Sequence, residues 1–207
     1  RSTPKPSSAA SDVYKRQSLH WCCICGSRRI TVNYDTETAL DATGDEKTII
    51  KGLNSYQGVR RRFELKGVVN DTIVIDDYAH HPTEVRATLE TAKTSWDSRL
   101  ISIFQPHLFS RTKEFYKEFA QSLTLSDVVI VTDIYPAREK PISGVTGKLV
   151  YDELITLGHK NTFYEPKLDN LPDLVNKISK NNDINIFSPV SIKNNYRSSN
   201  SINYLNI

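Results

Sequence analysis

The feature that most constrains this chain is a hydrophobic period that changes repeatedly along its middle. Short apolar, β-branched runs alternate with longer stretches whose apolar residues recur every three or four positions. The first pattern marks strands and the second marks amphipathic helices. Phe63, Leu65 and Val68 approximate strand alternation, with Arg62, Glu64 and Lys66 opposite. Thr72 to Ile75 is a β-branched run suited to a strand buried on both faces. Pro82 suits the first turn of a helix, in which Val85, Leu89 and Ala92 form one stripe. Leu100 to Phe104 reads as a strand, and Thr112 to Leu123 as a helix with Phe115, Phe119 and Leu123 aligned. Val128 to Val131 is the next strand, and Thr146 to Leu157 the next helix, with Val150, Leu154 and Leu157 on one face. Thr162 to Tyr164, Leu171 to Ile178 and Ile184 to Phe187 complete the series as strand, helix and strand.

Strands separated by helices of this length form βαβ units. The expected fold is therefore α/β, a doubly wound and mostly parallel sheet with helices on both faces. Its domain runs over 58–190. Ligands of such sheets bind beyond the carboxyl ends of the strands, which points to the loops after Ile75, Phe104 and Val131.

The flanks read differently. Residues 1–17 are rich in Ser, Pro and Ala without periodicity, and are expected to be a non-native leader outside the fold. Residues 18–57 carry one short helical pattern, Ile49, Ile50 and Leu53. Residues 191–207 hold five Asn and four Ser and no stripe, which fits a disordered or out-of-frame tail. The chain has no Met among its 207 residues and begins with Arg1, so it reads as a piece of a longer protein.

Charge and cysteine usage narrow the functional classes. A net charge of +3 with no basic face argues against a nucleic-acid partner. No run approaches the length of a membrane-spanning helix, and the N-terminal stretch has no apolar signal core. Cys22, Cys23 and Cys25 form one tight cluster near His20, without the second ligand pair a zinc finger needs, so no metal site is expected. There is no phosphate-binding P-loop. Gly144-Val145-Thr146-Gly147-Lys148 has the wrong spacing and is followed by Leu149.

Two loops concentrate reactive side chains. Asp76-Asp77-Tyr78-Ala79-His80-His81-Pro82-Thr83-Glu84 follows the second strand and holds seven polar or ionisable side chains. An Asp at a strand's carboxyl end is placed to accept from ribose hydroxyls, and imidazoles can hold a carboxylate or relay a proton. Thr83 and Glu84 can instead serve only as helix caps. The run Phe104 to Lys113, FQPHLFSRTK, occupies the same position in the next βα unit, so the two loops can be neighbours. Its Arg111 offers a fork for a carboxylate or phosphate. Ser110 can be read as an N-cap and Lys113 as a solvated charge. Gly58-Val59-Arg60-Arg61-Arg62-Phe63 is a basic knot at the domain junction, which reads either as a phosphate contact or as a plain solvated run.

At these residues the chain resembles the Mur ligases. The runs GVRRRF, DDYAHHPTEV, FQPHLFSRTK and DIYPAREKPISGV (Asp133 to Val145) match that family in order and approximate spacing, over roughly Ile49 to Phe187. Gln105-Pro106-His107 favours the branch that adds L-alanine over the branch that recycles murein tripeptide. The resemblance implies a Rossmann-like C-terminal domain, preceded at 18–57 by a remnant of the central ATPase domain. It implies a bacterial cytoplasmic enzyme of peptidoglycan synthesis that uses ATP, Mg2+, UDP-N-acetylmuramate and L-alanine. The sugar carboxylate is activated as an acyl phosphate and then captured by the amino acid. Mg2+ would be held mainly by the central domain. In the family pattern Asp77 would hold the ATP ribose, while Arg62, with Arg61 beside it, would reach the phosphates. Tyr78, His80, His107 and Arg111 would line the amino-acid pocket, with His80, His107 and Arg111 as the catalytic set. The chain departs from its relatives at Leu108, where some carry Arg, and at Ser188-Pro189-Val190, where the family has a Gly-Ala-Gly turn. By itself, without a P-loop, the chain is expected to be inactive. A non-catalytic α/β binding module is the competing reading.

Overall fold

The computed structural model describes residues 60–69 and 71–190. The expectations for 1–17, 18–57 and 191–207, with the Cys22/Cys23/Cys25 cluster, lie outside the described residues. The chain divides between Arg62 and Phe63 into two compact units, and 60–62 are the described part of the first.

The second unit is built on six strands: β1 (Glu64–Val69), β2 (Thr72–Asp76), β3 (Leu100–Phe104), β4 (Val128–Val131), β5 (Thr162–Tyr164) and β6 (Ile184–Ser188). Four helices connect them: α1 (Pro82–Ser95), α2 (Phe109–Leu123), α3 (Lys148–Thr156) and α4 (Leu171–Ile178), the last preceded by a 3-10 turn at Leu168–Asn170. The sheet order is β1-β2-β6-β3-β4-β5, with β1 antiparallel to β2 and every other pair parallel.

Topology decides which face each helix covers. From β2 through β3 and β4 to β5 the chain steps in one direction across the sheet. From β5 it returns to insert β6 between β2 and β3. Parallel crossovers are right-handed, so reversing direction sends the return helix to the opposite face. Accordingly α4 lies against one face, where Leu171 and Val175 pack with Val74, Ile101, Ile103, Val128, Ile130 and Phe187. The other face receives α2, whose Phe119 ring lies 5.0 Å from that of Phe104. Strand alternation accounts for the split, because Phe104 points away from Ile103.

Three expected details change. The helix expected from Thr112 starts earlier, at Phe109, and bends at Phe115, where φ is −116° and ψ 16°. Leu157, expected on the buried stripe of α3, is 44% exposed, because the helix ends at Thr156 and the chain turns out at Gly158. The last strand, expected to end at Phe187, runs one residue further to Ser188, which is buried. The order reverses at β6, and the carboxyl ends of β2, β6 and β3 are the position where open α/β sheets bind ligands.

Candidate functional site

The first wall of the candidate site is the turn after β2, and Asp77 organises it. Asp77 is 1% exposed. It accepts from the backbone N–H of Ala79 at 2.8 Å, from that of Phe63 at 3.2 Å and from the Thr88 hydroxyl at 3.2 Å. The bond to Phe63 matters because Phe63 sits at φ +48°, a left-handed conformation costly for a bulky residue. Asp77 and the stacked ring of Trp96, 6.1 Å away, hold it there. The Asp77 backbone N–H donates to Phe187 at 2.9 Å, and the Ser188 hydroxyl donates to the Ala79 carbonyl at 2.8 Å. The turn is thus sewn to β6.

Glu84 finishes the turn. Its Oε2 accepts from the backbone N–H groups of His80 at 3.0 Å and His81 at 3.2 Å. His81 is the N-cap of α1, and its Nδ1 accepts from Thr83 N–H at 3.4 Å. The capping reading of Glu84 is what the structure shows, with an imidazole in the place usually held by Ser or Asp. Exposed His81 also packs its ring against Phe115, at 5.3 Å.

The second wall is the turn after β3. Gln105 N–H donates to the Ser188 carbonyl at 2.9 Å, so both turns share β6 as an anchor. Leu108, the residue before α2, has φ +71° and caps nothing with its side chain. Ser110 is not the N-cap expected. Instead Glu139, from the loop after β4, accepts from the Ser110 N–H at 2.9 Å and from its hydroxyl. These bonds, aided by Arg111, hold the Glu139 carboxyl below the ordinary carboxylate range.

The loop after β4 makes two further attachments. Tyr135 pairs with the β3 turn in a short parallel bridge, with Tyr135 N–H to Pro106 O at 2.8 Å and Leu108 N–H to Tyr135 O at 3.0 Å. Asp133 Oδ1 accepts from its neighbour Ile134 N–H and from Gly147 N–H at 3.0 Å, at the start of α3. Gly147 is obligatory there: a Cβ would lie 2.0 Å from the Thr132 carbonyl oxygen. Tyr135, Glu139 and Asp133 had no assigned role in the sequence reading. The one available signal was that they share the run DIYPAREKPISGV.

The two walls meet. The Tyr78 and His80 rings are 4.9 Å apart, Tyr78 and His107 6.1 Å, and His80 and His107 5.7 Å. Tyr135 stacks on the outer side of His107 at 5.5 Å. Arg111, in the first turn of α2, donates from Nη1 to the His80 carbonyl at 3.1 Å. Among the described residues the rest of its fork has no hydrogen-bond partner. His80 Nδ1 lies 2.7 Å from the Tyr78 carbonyl and 3.6 Å from Glu84 Oε2. Among the described residues, His107 Nδ1 is buried with no hydrogen-bond partner. Burial, then the charge of Arg111, then His80, push the His107 pKa below the ordinary histidine range, with Glu139 opposing. Tyr78, His80, His107 and Arg111 are therefore brought together in one cluster, about half-buried, that presents an open guanidinium fork and two imidazoles. Such a set suits a small carboxylate-bearing ligand.

Asp77 stands apart from that cluster in character, because its carboxylate is buried and engaged. Arg61 and Arg62 are half-buried members of the first unit, with Arg61 at φ +56°. Among the described residues no group of three His, Cys, Asp or Glu side chains could hold a metal ion.

Comparison with known proteins defines the class. The family model "Mur ligase, glutamate ligase domain" matches residues 61–190. The chain belongs to the Mur ligase family. Among curated proteins, a UDP-N-acetylmuramate–L-alanine ligase of Cutibacterium acnes is 54% identical over 127 residues, which are 60% of this chain and 27% of that protein. The chain spans less than a third of the length of the curated relatives at the head of that comparison. Among solved structures, a UDP-N-acetylmuramate–alanine ligase of Thermotoga maritima is 30% identical, with a TM-score of 0.59, covering 74% of this chain and 32% of the other. A murein peptide ligase of Psychrobacter arcticus is 28% identical, with a TM-score of 0.53, covering 73% of this chain and 32% of the other.

Proposed function

We propose that this chain carries the C-terminal domain of an ATP-dependent ligase that joins L-alanine to UDP-N-acetylmuramate in peptidoglycan synthesis, in the bacterial cytoplasm. The supporting observation is the convergence of Tyr78, His80, His107 and Arg111 from two successive βα turns, in a chain whose curated relatives bear that enzyme's name. No helix of the described residues is long and apolar enough to cross a membrane.

In this reading ATP supplies an acyl phosphate on the sugar acid, and the residues of this chain present the amine to it. Arg111 receives the amino-acid carboxylate with the free part of its fork. Tyr78, His80 and His107 complete the pocket around a small amino acid. The work is orientation plus electrostatic complementarity, which in such transfers supplies much of the acceleration. Arg61 and Arg62 are assigned to the nucleotide phosphates. Asp77 is assigned to the ATP ribose, and it also has a structural role: buried, it accepts from Phe63, Ala79 and Thr88 and so fixes the turn that carries Tyr78 and His80. Mg2+ is assigned mainly to the central domain of the ligase, where charge neutralisation supports the phosphoryl step.

The chain lacks a P-loop, so on its own it should form no product. Assaying the full-length ligase with L-alanine against the murein tripeptide tests the reading. ATP-dependent turnover with L-alanine is expected, and turnover with the tripeptide alone would transfer the domain to the recycling branch. Product formed by the isolated 207-residue chain would contradict the division of labour.

A further inference from the structure

The two histidines of the cluster differ in one respect that their identical chemistry hides. His80 Nδ1 lies 2.7 Å from a carbonyl oxygen, that of Tyr78. A carbonyl only accepts, so Nδ1 carries the proton and, in the neutral ring, Nε2 carries the lone pair. Nothing among the described residues bonds to that Nε2. His107 is the reverse case. Its Nδ1 is buried without a partner among the described residues. Buried N–H groups are left orphaned more rarely than buried acceptors, so the neutral ring is assigned its proton on Nε2. The two rings are 5.7 Å apart and share Tyr78 as a neighbour. One offers an acceptor and the other a donor, and Arg111 is tied to the backbone of the first.

We propose that these opposite tautomers read the polarity of the incoming amino acid. His80 Nε2 accepts the ammonium proton and so acts as the base, while His107 Nε2–H and Arg111 hold the carboxylate. This rests on the ligase reading given above. In the step itself, the ammonium N–H bond breaks, its electron pair stays on nitrogen and the proton moves to His80 Nε2. The resulting imidazolium keeps its Nδ1–H on the Tyr78 carbonyl. It faces Glu84 at 3.6 Å from α1, His107 from the turn after β3, and Arg111 from α2, which bonds to its carbonyl. The amine lone pair then attacks the acyl-phosphate carbonyl carbon. On collapse the carbon–oxygen bond to phosphate breaks, and phosphate leaves with that pair. It takes the second amine proton to become hydrogen phosphate. His80 returns its proton to solvent.

Two measurements test the assignment. Long-range 1H–15N correlation spectra of the 15N-histidine-labelled 207-residue chain, assigned with His80→Gln and His107→Gln, read the tautomers directly. His80 should be protonated on Nδ1 and His107 on Nε2, and the reverse at either ring overturns the inference. In the full-length ligase, His80→Gln should lower kcat by more than tenfold at pH 7 and remove the acid limb of its pH profile, with KM for L-alanine changing less than threefold. His107→Gln should instead raise that KM by about tenfold. Equal effects of the two substitutions on kcat and KM overturn the division of roles. A wild-type enzyme inert toward L-alanine overturns the functional reading itself, while the tautomers, measured separately, are unaffected by that outcome.

Discussion

At the scale of single residues, Asp77 and His107 separate structural from chemical roles. Asp77 is buried and satisfies three donors, one of which fixes Phe63 in a left-handed conformation. Asp77→Ala orphans the N–H groups of Phe63 and Ala79, while the Thr88 hydroxyl keeps its bond to the Glu84 carbonyl at 2.9 Å, and buried unpaired donors each cost about 1–3 kcal/mol. Thermal unfolding should show a loss of about 3–5 kcal/mol, with Asp77→Asn losing less because one acceptor survives. An unchanged melting temperature for Asp77→Ala would leave Asp77 to ligand binding alone. His107 makes the opposite kind of statement. Its folded-state pKa lies below the unfolded value, so between the two the unfolded chain binds more protons. Its contribution to stability is therefore complete above the ordinary histidine pKa of about 6.5 and declines as pH falls below it. Melting curves from pH 7.5 to 5.5 should fall more steeply for wild type than for His107→Gln. Parallel curves would show that the depressed pKa is absent.

At the scale of elements, the loop after β4 is a strut, held by Asp133 at α3, by Tyr135 at the β3 turn and by Glu139 at α2. Gly147 is where that strut is tightest. Gly147→Ala forces a Cβ into backbone at 2.0 Å, so α3 must shift. The expected loss in chemical unfolding is about 3 kcal/mol or more, larger than a helix-propensity gain from Ala could offset. A neutral or stabilising result would mean the turn is free to move. The same elements show what the sequence exposed. Strands β3, β4 and β5 and helix α4 carry strong periodicity, and their expected limits coincide with those observed. The start of α2 was hidden because its cap, Glu139, lies some thirty residues downstream. Leu157 misled because its spacing continues a stripe beyond the point where the helix stops. Of the site, the two loops and their four clustered residues were legible as adjacent βα turns. The burial of Asp77 and the strut were not, because both depend on contacts distant in sequence.

At the scale of the whole molecule, the reversal that inserts β6 between β2 and β3 creates the site. It anchors both reactive turns to one strand through Phe187 and Ser188. If the cluster above β6 serves the amino acid, then its loss should affect that substrate and spare the others. The decisive measurement is the KM of full-length Arg111→Ala for each of the three substrates. An open guanidinium that binds a carboxylate predicts an L-alanine KM raised by about ten- to a hundredfold, with values for ATP and UDP-N-acetylmuramate within about twofold of wild type. A raised KM for ATP with an unchanged KM for L-alanine would contradict the account.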